Sequence, residues 1–176
     1  MNAAEAMRAG QTVPRPIPPA FEELFRKEYG RVVAIALRIV GDGDDAEDVA
    51  QDVFVSFYRK HPADAPYAPS WLHAAAAHTA LNVLRSRSRR GRRETAESAG
   101  LDREPIDPAR AAEVAETRAE VRAALGRIDE RSASLLALRY GGLSYDEIAA
   151  ALGVKRSGVG TLLRRAEEAF RKEVRS

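Results

Sequence analysis

The chain has 176 residues, 45% hydrophobic and 31% charged, with a net charge of +2, which suits one ordinary domain or two small ones. It contains no cysteine, so disulfides, thiolate zinc sites and a thiol redox switch are excluded. No apolar run approaches the ~18 residues of a membrane span, and the opening MNAAEAMRAGQTVPRPIPP lacks the apolar core of a secretory signal. A cytoplasmic chain without membrane insertion is the expectation.

Residues 1–20 are proline-rich and non-periodic, and are expected to form a disordered extension. From Phe21, apolar residues recur at helical spacing through Leu24, Phe25, Tyr29, Val32, Val33, Ala36, Leu37 and Val40, and Gly41 closes the helix. Residues 41–52, GDGDDAEDVAQD, carry six acidic groups and no basic one. They begin a second helix with Ala46, Val49, Ala50, Val53, Phe54 and Phe57 on one face and Glu47, Asp48, Gln51 and Asp52 on the other. Acids at a helix start also complement its dipole. HPADAPYAP is a loop. A third helix runs from about Ser70 to Arg90, with Leu72, Ala76, Thr79 and Val83 toward a core.

That helix ends in residues 85–93, RSRSRRGRR, with six arginines and no acid. Acidic and basic runs so separated suit different partners, a basic protein surface and phosphate respectively; each is equally readable as a solvated helix end. A polar stretch follows without periodicity, and a linker is expected over residues 91–112. Helical patterning returns at Val114, Val121, Leu125 and Ile128, then at Leu135, Leu136 and Leu138. The expected fold class is all-α: two small helical domains joined by a flexible linker, over residues 21–90 and 113–176.

Residues 143–166, LSYDEIAAALGVKRSGVGTLLRRA, have the layout of a helix-turn-helix. Ile148, Ala149 and Leu152 line the inner face of its first helix. Gly153 falls at the turn, where a positive φ is cheap for glycine, and Val154 plugs it. Val159, Leu162 and Leu163 pack the second helix back. Arg156, Ser157, Gly160, Thr161, Arg164 and Arg165 would face outward, with chemistry suited to bases and phosphates. An ordinary helical hairpin with a solvated basic face is the alternative.

Together, FEELFRKEYGRVVAIALRIVGDGDDAEDVAQDVFVSFYRK, WLHAAAAHTALNVLRSRSRR and LRYGGLSYDEIAAALGVKRSGVGTLLRRAEEAFRK resemble a bacterial RNA polymerase sigma factor of the sigma-seventy family, extracytoplasmic-function group. The resemblance implies a non-catalytic promoter-specificity subunit whose partners are core RNA polymerase, promoter DNA and, in many relatives, an anti-sigma factor. It implies that domain two binds the polymerase clamp and reads the −10 element, and that domain four reads the −35 element with its helix-turn-helix. Carried over residue by residue, it gives Asp45, Asp48, Gln51 and Asp52 to polymerase. It gives His78, Asn82, Arg85, Arg87, Arg89 and Arg90 to −10 DNA, and Arg156, Ser157, Gly160, Thr161, Arg164 and Arg165 to −35 DNA. It places Trp71 in the domain interior rather than as a base-stacking platform.

The chain departs from the family pattern in places. Ala74 and Ala77 stand where arginines are common, and His78 where an asparagine often helps capture a −10 base. Either His78 and Asn82 face DNA together, or the alanine run marks lost contacts and a polymerase- or DNA-binding regulator without promoter melting. Gly158 is read at the start of the last helix, with Ser157 as N-cap. Gly160, which replaces a common lysine, either permits close approach to DNA or marks a relaxed requirement. His61, His73 and His78 lack the spacing of a helical metal pair, and no phosphate-cradling glycine loop is present. No cofactor, metal or catalytic residue is expected.

Overall fold

The computed structural model describes residues 16–91 and 107–175. Among them the chain is all-α: α1 (Pro19–Val40), α2 (Gly43–Lys60), α3 (Ala68–Gly91), α4 (Pro108–Arg127), α5 (Glu130–Tyr140), α6 (Tyr145–Leu152) and α7 (Arg156–Val174), with no strand. No helix among these residues is long and apolar enough to cross a membrane.

Local chemistry fixes the helix ends. Proline at the start of α1 supplies a pre-set φ where no amide partner is needed, so the helix begins inside the extension expected over residues 1–20. Asp42 caps α2, its carboxylate accepting the Asp45 amide at 3.0 Å. Asp107 caps α4 by accepting the Ala109 amide at 3.1 Å, with Pro108 as the first helical residue. Residues 108–112, expected as the end of the linker, are therefore helical. The rest of that linker, residues 92–106, and residues 1–15 of the extension lie outside the described residues.

Helices α1–α3 form an N-terminal bundle whose core includes Val32, Ala36, Val49, Val53, Phe57 and Leu72. Within it Glu28 and His73 are almost fully buried, and Glu28 Oε2 meets His73 Nε2 at 2.8 Å. His73 Nδ1 has no partner. Helices α4–α7 form a C-terminal bundle around Leu135, Leu138, Ile148 and Val159. The expected core face of α4 holds only in part. Leu125 and Ile128 are buried, but Val114 and Val121 stay exposed because only the last turns of α4 reach the core.

The two bundles pack against each other rather than standing apart. Helix α3 lies between them, touching α1 and α2 from its own bundle and α4, α5 and α6 from the other; α1 also meets α5. The end of α5 sits directly on α1. A Cβ on Gly141 would fall 2.8 Å from the Ala137 carbonyl oxygen, 3.0 Å from Ile35 Cγ1 and 3.4 Å from Ile35 Cα, so a side chain there would force this contact to shift. Ile35, absent from the face predicted by periodicity, is fully buried. The buried apolar residues of both bundles form one continuous cluster. Charged pairs rim the contact: Arg31 of α1 pairs with Glu147 of α6, and Arg85 Nη2 of α3 donates to the Ile128 carbonyl at 3.2 Å.

Candidate nucleic-acid interface

Asp48, Gln51 and Asp52 project from the solvent face of α2, one turn apart and opposite Val49, Val53 and Phe57. Asp45 differs. Its side chain is only 21% exposed and is paired with Arg87 of the arginine run on α3. Val55, 47% exposed, continues the same face one turn beyond Asp52. Residue patterning gave no reason to single it out, because an exposed valine is visible only once the core face is known.

On α3 the predicted −10 residues divide into two groups. Arg87, Arg89 and Arg90 are exposed. His78, Asn82 and Arg85 are brought together, but against the C-terminal bundle. His78 Nδ1 lies 2.5 Å from Glu130 Oε1, Asn82 Nδ2 lies 3.1 Å from His78 Nε2, and Arg85 Nη1 donates to Glu130 Oε2 at 3.4 Å. An Asn82 N–H donated to Nε2 leaves Nδ1–H of a neutral imidazole to donate to Glu130. The His78 hydrogen bond first, and then Arg85, hold the Glu130 carboxyl below its ordinary range against partial desolvation. Trp71 packs on Phe57 and His61, with ring centroids 5.4 and 4.8 Å apart, partly buried against the core as expected for it.

The alanines that break the family pattern are structural. Ala74, Ala77 and Leu81 share the face of α3 that carries His78 and Arg85. Ala77 and Leu81 have no exposed surface. This is the face turned to α5, and arginines there would hold the two bundles apart.

The helix-turn-helix is built as the spacing predicts. Ser144 Oγ accepts the Glu147 amide at 3.3 Å while Glu147 Oε2 accepts the Ser144 amide at 2.8 Å, a reciprocal cap on α6. The S-x-x-E spacing announces this cap. The Ser144 amide hydrogen bond is the largest influence on the Glu147 carboxyl, which is lowered to about 2; desolvation opposes it and Arg31 assists. Gly153 adopts φ 63° at the turn, and the Val154 amide reaches the Ala149 carbonyl at 3.0 Å.

Helix α7 corrects one expectation. It starts at Arg156 after Lys155, which makes no side-chain cap, so Ser157 lies inside the first turn and is not the N-cap. Without a side-chain cap to stop it, the helix begins two residues earlier. Both glycines are thus helical. Ser157, Thr161, Arg164 and Arg165 share the solvent face. Arg156 pairs with Asp146 at 2.9 Å and Arg164 with Glu168 at 3.3 Å. Gly160 sits at the flank of this face, where an added Cβ would rest 3.7 Å from the Tyr145 ring; Gly158 borders open space. Among the described residues no group of three or more histidines or carboxylates could hold a metal ion.

Residues 24–90 match the family model for Sigma-70 region 2, and residues 118–170 that for Sigma-70, region 4. The chain is 32% identical over 165 residues to the RNA polymerase sigma-H factor of Pseudomonas aeruginosa, covering 87% of this chain and 85% of that protein. It is 32% identical over 159 residues to the ECF RNA polymerase sigma factor SigE of Mycolicibacterium smegmatis, covering 87% of this chain but spanning only 61% of that longer protein. Among solved structures, CnrH in complex with the cytosolic domain of CnrY shares the fold with a TM-score of 0.55 at 21% identity, over 96% of this chain and 92% of that one. The sigma factor RpoE of Bartonella quintana, in complex with the anti-sigma factor NepR, shares it with a TM-score of 0.52 at 17% identity, over 88% and 96%.

Proposed function

We propose the following residue roles for a chain that belongs to the sigma-70 family, extracytoplasmic-function group, and so serves promoter-specific initiation of transcription with core RNA polymerase and promoter DNA as partners. The family is one of non-catalytic initiation factors. Domain two spans residues 21–90 and domain four residues 113–176. Asp48, Gln51 and Asp52, with Val55 beside them and Asp45 at the helix start, meet polymerase. His78, Asn82 and Arg85 meet the opened −10 strand, and Arg87, Arg89 and Arg90 its backbone. Ser157 and Thr161 read −35 base edges, with Gly160 alongside; Arg156, Arg164 and Arg165 position the helix on phosphates. The chain works in the cytoplasm.

The observation that carries this assignment is the exposure of α2's acidic face and α7's basic face at once, on opposite ends of one chain. Run-off transcription with core polymerase tests it. Initiation from a defined promoter, lost on charge reversal at Asp48 and Asp52, supports the assignment. Polymerase or DNA binding without a transcript supports a regulator that lacks promoter melting.

An anti-sigma factor is the third proposed partner. A cleft of about 510 Å³ between α1, α4, α5 and α7 is lined by Val121, Leu125, Leu136, Tyr140 and Phe170, together with Arg38 and the Arg171–Glu167 pair. Aliphatic anchors with a neighbouring acid would suit it.

A further inference from the structure

We infer that the cleft between α3 and α4 is a binding site for a small oligophosphate, a diphosphate or triphosphate either free or carried by a nucleotide. The cleft has a volume of about 1010 Å³, and the turn after α1 lines it as well. The inference does not rest on the DNA assignments, since Arg122 and Arg127 of α4 belong to none of them.

Charge is the first observation. Arg85, Arg87 and Arg89 line one wall and Arg122 and Arg127 the other, against a single carboxylate, Asp42. Asp42 is committed elsewhere, as the cap that accepts the Asp45 amide. The partners of three arginines lie outside the cleft: Glu130 for Arg85, Asp45 for Arg87 and Glu173 for Arg127. Each such pair spends only part of a guanidinium with five N–H donors. Arg89 and Arg122 have no carboxylate partner among the described residues.

The second observation is the seat of Arg122. Its side chain lies on Gly41, where an added Cβ would fall 2.5 Å from Nη1 and 3.2 Å from Cζ. Gly41 is the left-handed cap of α1, at φ 74°, so the guanidinium rests at the negative end of that helix dipole. A half-buried cation is thereby held in place with N–H donors to spare. Arginine so held presents its fork to phosphate oxygens with little left to order.

The third is the make-up of the walls. Ala119, Ala123 and Gly126 keep the α4 wall short, which leaves room, and no aromatic ring lines the cleft among the described residues. Single-stranded nucleic acid is held by a basic groove together with rings on which its bases stack. Arginines converging from two walls without such a ring fit the phosphate end of a small molecule, whose charges sit on adjacent oxygens. Its occupant touches both bundles and so stabilises the seam between α3 and α4.

Binding of inorganic tripolyphosphate, without divalent metal, is measured by calorimetry on the full chain free of polymerase, at physiological ionic strength. It should bind and raise the melting temperature. Arg122→Ala should weaken binding about tenfold, with Arg122→Lys between that variant and the parent. Ala119→Glu, which places a carboxylate in the cleft, should weaken it at least as much. Melting curves without ligand show that each variant is folded. Arg59→Ala, at an exposed arginine outside the cleft, should change nothing. Equal affinity for ATP assigns the site to phosphate alone, and tighter binding of ATP assigns it to a nucleotide. Absence of binding, binding that sulfate matches, or an equal loss in Arg122→Ala and Arg59→Ala overturns the site. A single-stranded oligonucleotide that binds through Arg122 where tripolyphosphate does not makes the cleft a nucleic-acid groove and overturns it too.

Discussion

Arg87 of the arginine run is paired with Asp45, the mostly buried carboxylate at the start of the acidic helix. Two charge runs that appear destined for separate partners thus meet inside one bundle. Asp45→Ala should release Arg87 to a DNA phosphate. The slope of log affinity against log salt for single-stranded DNA should then steepen by about 0.7, the value for one added contact. A salt titration of parent and variant checks this.

With Asp45 engaged, the attraction for polymerase proposed above falls to Asp48 and Asp52, which are exposed on the solvent face. Charge reversal at both should weaken core binding by about tenfold or more while leaving thermal stability unchanged, because neither touches the core. Asp45→Asn should weaken it less. Affinity measurements with purified core enzyme, alongside melting curves, distinguish the three variants.

Gly160 lies beside Tyr145 with room for a methyl group at ordinary contact distance. Gly160→Ala should raise stability by up to ~1 kcal/mol through helix propensity and leave −35 duplex affinity unchanged. Gly158→Ala should bring a similar gain in stability, but its methyl would point into open space next to Ser157, the residue proposed to meet the duplex. Its duplex affinity should fall. Melting temperature and duplex binding on both mutants decide the matter.

The Glu28–His73 pair sits in the bundle interior with one imidazole nitrogen unpartnered. Removing one partner strands the other. Glu28→Ala should cost roughly 3–5 kcal/mol, whereas Glu28→Met with His73→Leu should return close to parent stability or exceed it. Denaturant unfolding of the single and double variants measures both.

Glu147 has a carboxyl lowered to about 2 from a reference of 4.5, first by the Ser144 amide and then, against desolvation, by Arg31. A depressed carboxylate stabilises above its reference value and loses that contribution as pH falls through its folded value. The contribution is therefore complete above about pH 4.5 and disappears toward pH 2. Because the Ser144 amide is the leading cause, Arg31→Ala should leave most of the depression in place. An NMR titration of the Glu147 carboxyl in both proteins checks it.

Helix periodicity located all seven described helices, although α4 buries only the last part of its expected apolar face. The positive φ at Gly153 was legible for a similarly local reason, whereas the packing of Trp71 on the core followed only from the family resemblance. What periodicity could not reveal is burial supplied by a distant segment. Ile35 looked superfluous until Gly141 covered it, and Ala77 looked like a lost contact until it proved fully buried. The candidate site suffered in the same way: Arg87, Arg89 and Arg90 are as exposed as their run suggests, but His78 and Arg85 are held by contacts 43 to 52 residues away in sequence, and Asn82 is bonded to His78. Ser157 was misplaced because α7 starts without any side-chain cap, so the usual marker of a helix start was missing.

Glu147 serves two masters with separate atoms: Oε2 holds the Ser144 amide, and Oε1 holds Arg31. Undoing the Arg31 bond takes nothing from the cap. The helix-turn-helix therefore keeps its first cap whether or not Arg31 holds it, and its local fold is energetically separable from its contact with α1.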